Sequence, residues 1–202
     1  MALIDRTKNM LLSPKTEWAV VASEEADPMK VFMGYAVPWI IIDAICAFVG
    51  HAFIWGAGHY GPLAVSWGMY FALMAVVTQL ISMWLTAMVV NALAPSFGSQ
   101  KDMGRAMQTI VYGSTASFVG GVLAILPFIG WVGSLFGLYG IYLIYLGLSH
   151  TMKTPQDKVV VYMVVSVVAL IVLWMIIGGL LASVFMGMFG LSVLSGTRMM
   201  GM

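Results

Sequence analysis

Long apolar runs alternate with short polar segments along this chain. Each run approaches or exceeds the roughly 20 residues that an α-helix needs to cross the hydrocarbon core of a bilayer. The pattern therefore predicts an all-α, polytopic membrane protein built as a bundle of five transmembrane helices. The predicted spans cover about 31–55, 63–94, 106–126, 131–149 and 159–194.

The second and fifth runs are longer than a single span requires, so these helices are expected to tilt or to project into water. The fifth run is interrupted by Gly178, Gly179 and Gly187. Two alternatives stay open for it: a continuous helix, or a break near Gly178 that leaves its end re-entrant or in the interface. Residues 195–202 are expected to form a short extracytoplasmic tail.

Residues 1–30 precede the first span and follow a different pattern. They predict an N-terminal amphipathic helix that lies in the membrane interface, as part of a cytoplasmic tail. The face expected to meet the bilayer collects Leu3, Ile4, Thr7, Met10 and Leu11. The face expected to meet water carries Asp5, Arg6, Lys8 and Asn9.

Basic residues mark one side of the predicted bundle. Cytoplasmic segments of membrane proteins carry an excess of Lys and Arg, and only Arg198 falls on the opposite side here. The predicted location is therefore the bacterial inner membrane, with a cytoplasmic N-terminus and a periplasmic C-terminus. The other eight of the nine basic residues are Arg6, Lys8, Lys15, Lys30, Lys101, Arg105, Lys153 and Lys158.

The amino-acid composition limits which partners and which kinds of reactive site this chain can have. The chain is 61% hydrophobic and 8% charged, whereas a soluble domain is about 25% charged, so the lipid bilayer is the expected partner. A net charge of +1 offers no basic field to hold nucleic acid. The single Cys46 excludes an intrachain disulfide and any metal site built on clustered cysteines. No nucleophile–base pair or phosphate loop is present, which argues against an enzyme and against a cofactor.

Asp43 is the only acidic residue within a predicted span. A carboxylate at mid-bilayer costs about 2.5–3.5 kcal/mol on insertion scales, so such a residue usually faces the bundle interior and has a partner. In the second span Thr78, Ser82 and Thr86 recur every four residues, with Gln79 beside them. We expect Asp43 to be buried and hydrogen-bonded to Gln79 or Ser82. It would act as a proton or cation site, as a polar clamp between two helices, or as a wetted group near the surface.

Small residues recur at four-residue spacing in three of the runs. Gly133 and Gly137 form such a step in the fourth run, which also carries a tyrosine every third residue from 139 to 145. Small residues let helices approach closely in a membrane. These ladders predict packing within the bundle, and the alternative is a homodimer face. The remaining members are Gly113, Ser117 and Gly121 in the third run and Gly179, Ser183 and Gly187 in the fifth.

Two stretches carry a family resemblance: LLSPKTEW at 11–18 and YLIYLGLSHTMKTPQDKVVVY at 142–162. With five spans, they resemble bacterial members of the Yip-domain (Ypt-interacting protein) family. The resemblance implies a non-enzymatic scaffold or membrane-organising protein that contacts a second copy of itself or other membrane proteins. The long cytosolic region of eukaryotic relatives, with its Asp-x-x-Gly-Pro element, is missing here, so their GTPase binding is not carried over. The alternative function is a small transporter or channel that uses Asp43.

The predicted topology places the two ends of the chain on opposite sides of the membrane. In a Cys46→Ser background, Ala2→Cys and Met202→Cys are to be treated in intact cells with a thiol reagent that does not cross the inner membrane. We expect labelling of residue 202 alone, and labelling of both positions once the cells are lysed. Equal reactivity of the two positions in intact cells would contradict the five-span layout.

Overall fold

A computed structural model describes residues 2–173 and 175–176 of the chain, and the regular structure in these residues is helical throughout. Two short helices come first, then four helices long and apolar enough to cross a membrane, then a shorter apolar helix. They are α1 (Leu3–Leu12), α2 (Pro14–Ser23), α3 (Pro28–Ile54), α4 (Gly61–Phe97), α5 (Met103–Ile125), α6 (Trp131–His150) and α7 (Val159–Leu173).

The all-helical, multi-span architecture is confirmed for four candidate spans, whose bounds lie within three residues of the predicted ones. The helix α7 begins at the predicted start of the fifth span and is followed to Leu173. Apart from residues 175–176, the predicted remainder of that span lies outside the described residues. The choice between a continuous helix and a break near Gly178, the ladder of Gly179, Ser183 and Gly187, and the predicted tail 195–202 therefore also lie outside them.

The first span, α3, contains two π-helical turns, Phe32–Ala36 and Gly50–Ile54. Pro38 has no N–H, and its ring crowds the preceding turn of a regular α-helix. The wider first turn, in which the N–H of the residue before Pro38 bonds to the carbonyl of Phe32, gives that ring room. Single π turns of this kind often occur near functional sites. The regular α-helical segment between the two turns carries Asp43.

The four candidate spans pack as sequence neighbours, and α3 also contacts α5. Aromatic rings fill the space between α3 and α5: Trp39 stacks on Phe118 with ring centroids 6.2 Å apart, and Tyr35 meets Tyr112 edge-on at 4.9 Å. Aromatic pairs in these geometries are favoured by their ring quadrupoles. Of the four candidate spans, α5 is the most enclosed: 56% of its apolar 18-residue stretch is buried.

The helix α1 is present, and the face that it buries against the rest of the protein takes residues from both predicted faces. Arg6, Thr7 and Met10 are buried, whereas Ile4 is 66% exposed. The expectation that Arg6 lies on the water-facing side is therefore wrong. The hydroxyl of Thr7 lies 3.0 Å from that of Tyr35 and accepts a hydrogen bond from Nε1 of a tryptophan in α3. These contacts hold α1 against the spans through polar groups.

Ion pairs explain why Arg6 turns inward. Its guanidinium lies 2.7 Å from the Glu17 carboxylate, which is equally buried, and also pairs with Glu24. It sits 5.2 Å above the centre of the Tyr112 ring. Burial alone would lower the pKa of this guanidinium, but the hydrogen bond to Glu24 and the surrounding charges leave the pKa raised above its ordinary value. Arg6 therefore stays charged and ties α1 to α2.

The helix α2 rests on α6 through one tight contact. Trp18 is fully buried, and a Cβ added at Gly147 would lie 2.7 Å from its ring. Only glycine at this position lets the indole lie so close to the α6 backbone. Trp18 therefore serves as an internal packing residue.

Replacing Arg6 tests the importance of the buried ion pairs. We expect Arg6→Met to lower the free energy of unfolding by about 3 kcal/mol, because Glu17 keeps a buried charge without its partner. Unfolding of purified protein in detergent, followed by circular dichroism, measures this loss.

Lys8→Met is the matched control, because Lys8 is exposed on the same helix. It should change stability by less than about 0.5 kcal/mol. The double variant Arg6→Met/Glu17→Leu should recover part of the loss, since both buried charges are then gone. Equal stability of Arg6→Met and Lys8→Met would refute the role of the ion pairs.

Candidate functional site

Polar residues of the spans meet in one cavity of about 430 Å³ between α3, α4 and α5. The predicted site residues Asp43, Gln79, Ser82 and Thr86 all line it. Ser114 of α5 also lines it. Among the described residues, the remaining lining positions are Thr78, Met83, Ile110, Ser117, Phe118, Gly121 and Ile144.

The Asp43 side chain is 5% exposed and points from α3 into this cavity. Gln79 of α4 lines the same cavity as this carboxyl group. Oδ1 of Asp43 has no hydrogen-bond partner within the described part of the chain. A buried carboxyl oxygen without a partner is costly, so this oxygen is available to a proton, a water molecule or a cation.

Gly121 forms the wall directly beside this carboxyl group. A Cβ added at Gly121 would lie 2.6 Å from both carboxyl oxygens of Asp43. A methyl group there would displace the carboxyl group or push α5 away from α3. The lack of a side chain at Gly121 therefore positions Asp43.

Two hydroxyl groups on the cavity wall donate within their own helices. The Thr86 hydroxyl donates to the carbonyl of Ser82 at 2.6 Å, and the Ser114 hydroxyl donates to the carbonyl of Ile110 at 2.8 Å. Their hydrogens are used along the helix axis, so their lone pairs remain as acceptors. Around Asp43, the only ionisable side chain among the described lining residues, these oxygens suit a proton or a cation better than an anion.

An apolar cavity of about 310 Å³ adjoins the polar one and shares Thr86, Ile110 and Ile144 with it. Its further walls come from α6 and α7, and they include Ser166, whose buried hydroxyl has no partner among the described residues. The surroundings of Asp43 thus continue toward α7.

The predicted small-residue ladders meet different surroundings. A Cβ at Gly113 would lie 2.5 Å from the Ile144 side chain, and one at Gly133 would lie 2.9 Å from the carbonyl of Gly120. These glycines lie at the close approach of α5 and α6. Gly137, by contrast, has no described atom within 4 Å of a Cβ built there, so it makes no close contact within the described chain.

Sequence reasoning grouped Ser117 and Gly121 with packing residues and missed that both line the Asp43 cavity, together with Ser114. Their four-residue spacing was visible, but the depth of α5 relative to α3 was needed to place them. In the described residues, no three His, Cys, Asp or Glu side chains come together as metal ligands.

No curated protein and no solved structure matches this chain. The family model of the Yip1 domain matches residues 8–178, which extend from α1 past the end of α7. This match covers more than half of the chain and includes all four candidate spans as well as the Asp43 cavity. The chain therefore belongs to the Yip1 family of membrane proteins.

Proposed function

We propose that this protein is a non-enzymatic scaffold of the bacterial inner membrane that organises other membrane proteins, or copies of itself, through helix–helix contacts. The observation that carries this proposal is that α4 is little buried: only 17% of its apolar 18-residue stretch is covered by the rest of the described protein. The other three candidate spans have larger buried shares. A long face of α4 is therefore left uncovered by the described residues and can meet a neighbouring helix in the membrane plane.

The length and composition of α4 support such contacts. At 37 residues and 1.5 Å per residue it measures about 55 Å, well beyond the roughly 30 Å of the hydrocarbon core. Its exposed side chains include Trp67, Met69 and Met74. Methionine and aromatic side chains adapt to differently shaped partners.

The inventory of reactive groups is in keeping with a scaffold. The polar groups inside the described spans are mainly hydroxyls, amides and the single carboxyl of Asp43. The Yip1 family is not known as a family of enzymes.

Cysteine crosslinking tests the free face of α4. Two single cysteines are introduced in a Cys46→Ala background. Leu73→Cys replaces a residue that is 64% exposed on α4, and the control Ile45→Cys replaces one that is 57% exposed on α3. We expect oxidation in native membranes to give a discrete crosslinked complex with Leu73→Cys and far less with Ile45→Cys. Comparable or negligible yields at both positions would contradict a scaffold that acts through α4.

The second candidate is a small transporter or channel for protons or monovalent cations, and the Asp43 cavity favours it. The carboxyl group has one oxygen without a described partner and shares its cavity with acceptor hydroxyls. Intramembrane carboxyl groups commonly mark ion pathways.

Asp43→Asn separates the two functions, because the amide keeps the shape of the side chain and removes its charge. If the protein transports cations, proton or cation flux into proteoliposomes should fall to that of protein-free vesicles in this variant. Asp157→Asn, which changes an exposed carboxylate between α6 and α7, should keep the wild-type flux. Identical flux for wild type and Asp43→Asn would rule out the transporter.

A further inference from the structure

A second polar cavity, of about 370 Å³, lies where the start of α2 meets the end of α6. It is distinct from the Asp43 cavity, with which it shares no lining residue. Its walls combine one lysine, one histidine, two tyrosines, a serine and a glutamine with a single leucine. These residues are Lys15, Tyr142, Tyr145, Leu146, Ser149, His150 and Gln156.

We propose that this cavity binds the headgroup phosphate of an anionic glycerophospholipid. Lys15 supplies a fixed positive charge, and none of the described lining residues is acidic. Basic pockets beside transmembrane helices bind lipid headgroups in this way. The cavity lies at the end of α6, a candidate span, and therefore at the level where headgroups are found.

The tyrosine hydroxyls among the other lining groups are donors suited to phosphate oxygens. The hydroxyl of Tyr145 makes only a long contact, 3.4 Å, with the side-chain oxygen of Gln156. His150 donates its Nδ1 N–H to the carbonyl of Leu146 at 2.8 Å, so its neutral ring has no N–H left for a phosphate oxygen. Tyrosines are enriched at this depth of a membrane, where one end of the ring is wet.

The start of α2 adds further N–H donors. Within the described chain, the Ser13 side chain does not cap this helix. The N–H groups of Lys15 and Thr16 in the first turn are therefore not capped by Ser13, and such groups favour anions. Lys15 belongs to this first turn, so its charge and the helix dipole act on the same region.

The charges of a third cavity, beside the N-terminal helix α1, show why the anion is assigned to the cavity that contains Lys15. That cavity, of about 410 Å³, contains Arg6 and Lys30 but also Glu24 and Glu25. Arg6 pairs with Glu24, and the Lys30 ammonium lies 3.6 Å from the Glu25 carboxylate. Its positive charges are already neutralised, whereas Lys15 is in none of the ion pairs of the described residues.

An attached lipid, rather than a soluble phosphate, fits the surface below the cavity. One helical turn or less from Tyr142, Ile141 and Leu138 are 47% and 65% exposed on α6. This apolar surface continues from the cavity into the predicted membrane region and can lie along acyl chains. The inference is independent of which proposed function holds, since both place α6 in a bilayer.

Lipid titration of purified protein in neutral detergent tests the proposal by native mass spectrometry. We expect short-chain phosphatidylglycerol to bind more tightly than phosphatidylcholine of the same chain length. Lys15→Gln should weaken phosphatidylglycerol binding about fivefold, the contribution of one lysine at an anionic lipid surface. Tyr142→Phe should weaken it less and provides a second variant with little change in shape.

Lys8→Gln is the matched control, because it removes the same charge from an exposed position that does not line the cavity. It should leave phosphatidylglycerol binding unchanged. Equal affinity for the two lipids, or equal losses for Lys15→Gln and Lys8→Gln, would overturn the site. Binding of glycerol 1-phosphate as tight as that of phosphatidylglycerol would assign the cavity to a soluble phosphate and overturn the lipid assignment.

Discussion

Close backbone approach of α5 to its neighbours is the constraint on which the bundle depends. Lipid tails are as apolar as leucine, so burial of apolar side chains does not by itself hold helices together in a membrane. Contact must come from packing and from polar pairs. Glycines on α5 permit it: Gly113 faces Ile144 of α6, and Gly121 faces Asp43 of α3. The same absence of side chains that brings α3 and α5 together also fixes the position of the intramembrane carboxyl group.

Polar contacts add to the packing that the glycines allow, and they occur in two places. Around Asp43, hydroxyls and an amide from α4 and α5 face a single carboxyl group. Near the N-terminal helices, Arg6 is buried with its own carboxylate partners. The first arrangement leaves an oxygen without a described partner, whereas the second pairs its charges. This difference makes the Asp43 cavity a candidate binding site and the Arg6 pairs a structural joint.

The sequence predicted the four candidate spans well because their length and polarity are set by the bilayer. It also placed Asp43 and Gln79 at nearly the same depth in the membrane, since their distances from the helix ends could be counted, and both line one cavity. It failed for Arg6, because a helical wheel ranks side chains by polarity and cannot show that Glu17 and Glu24 lie within reach. Ser114 and the role of Gly121 were missed for a related reason: they depend on the depth of α5 relative to α3, which loop lengths do not determine.

The contact between Trp18 and Gly147 has a consequence for the order in which the protein assembles. Residues at the N-terminus emerge first during synthesis, yet the surface that receives Trp18 belongs to α6, more than a hundred residues later. The contact of α2 with α6 can therefore form only after α6 has been synthesised and inserted, although α1 can meet α3 earlier.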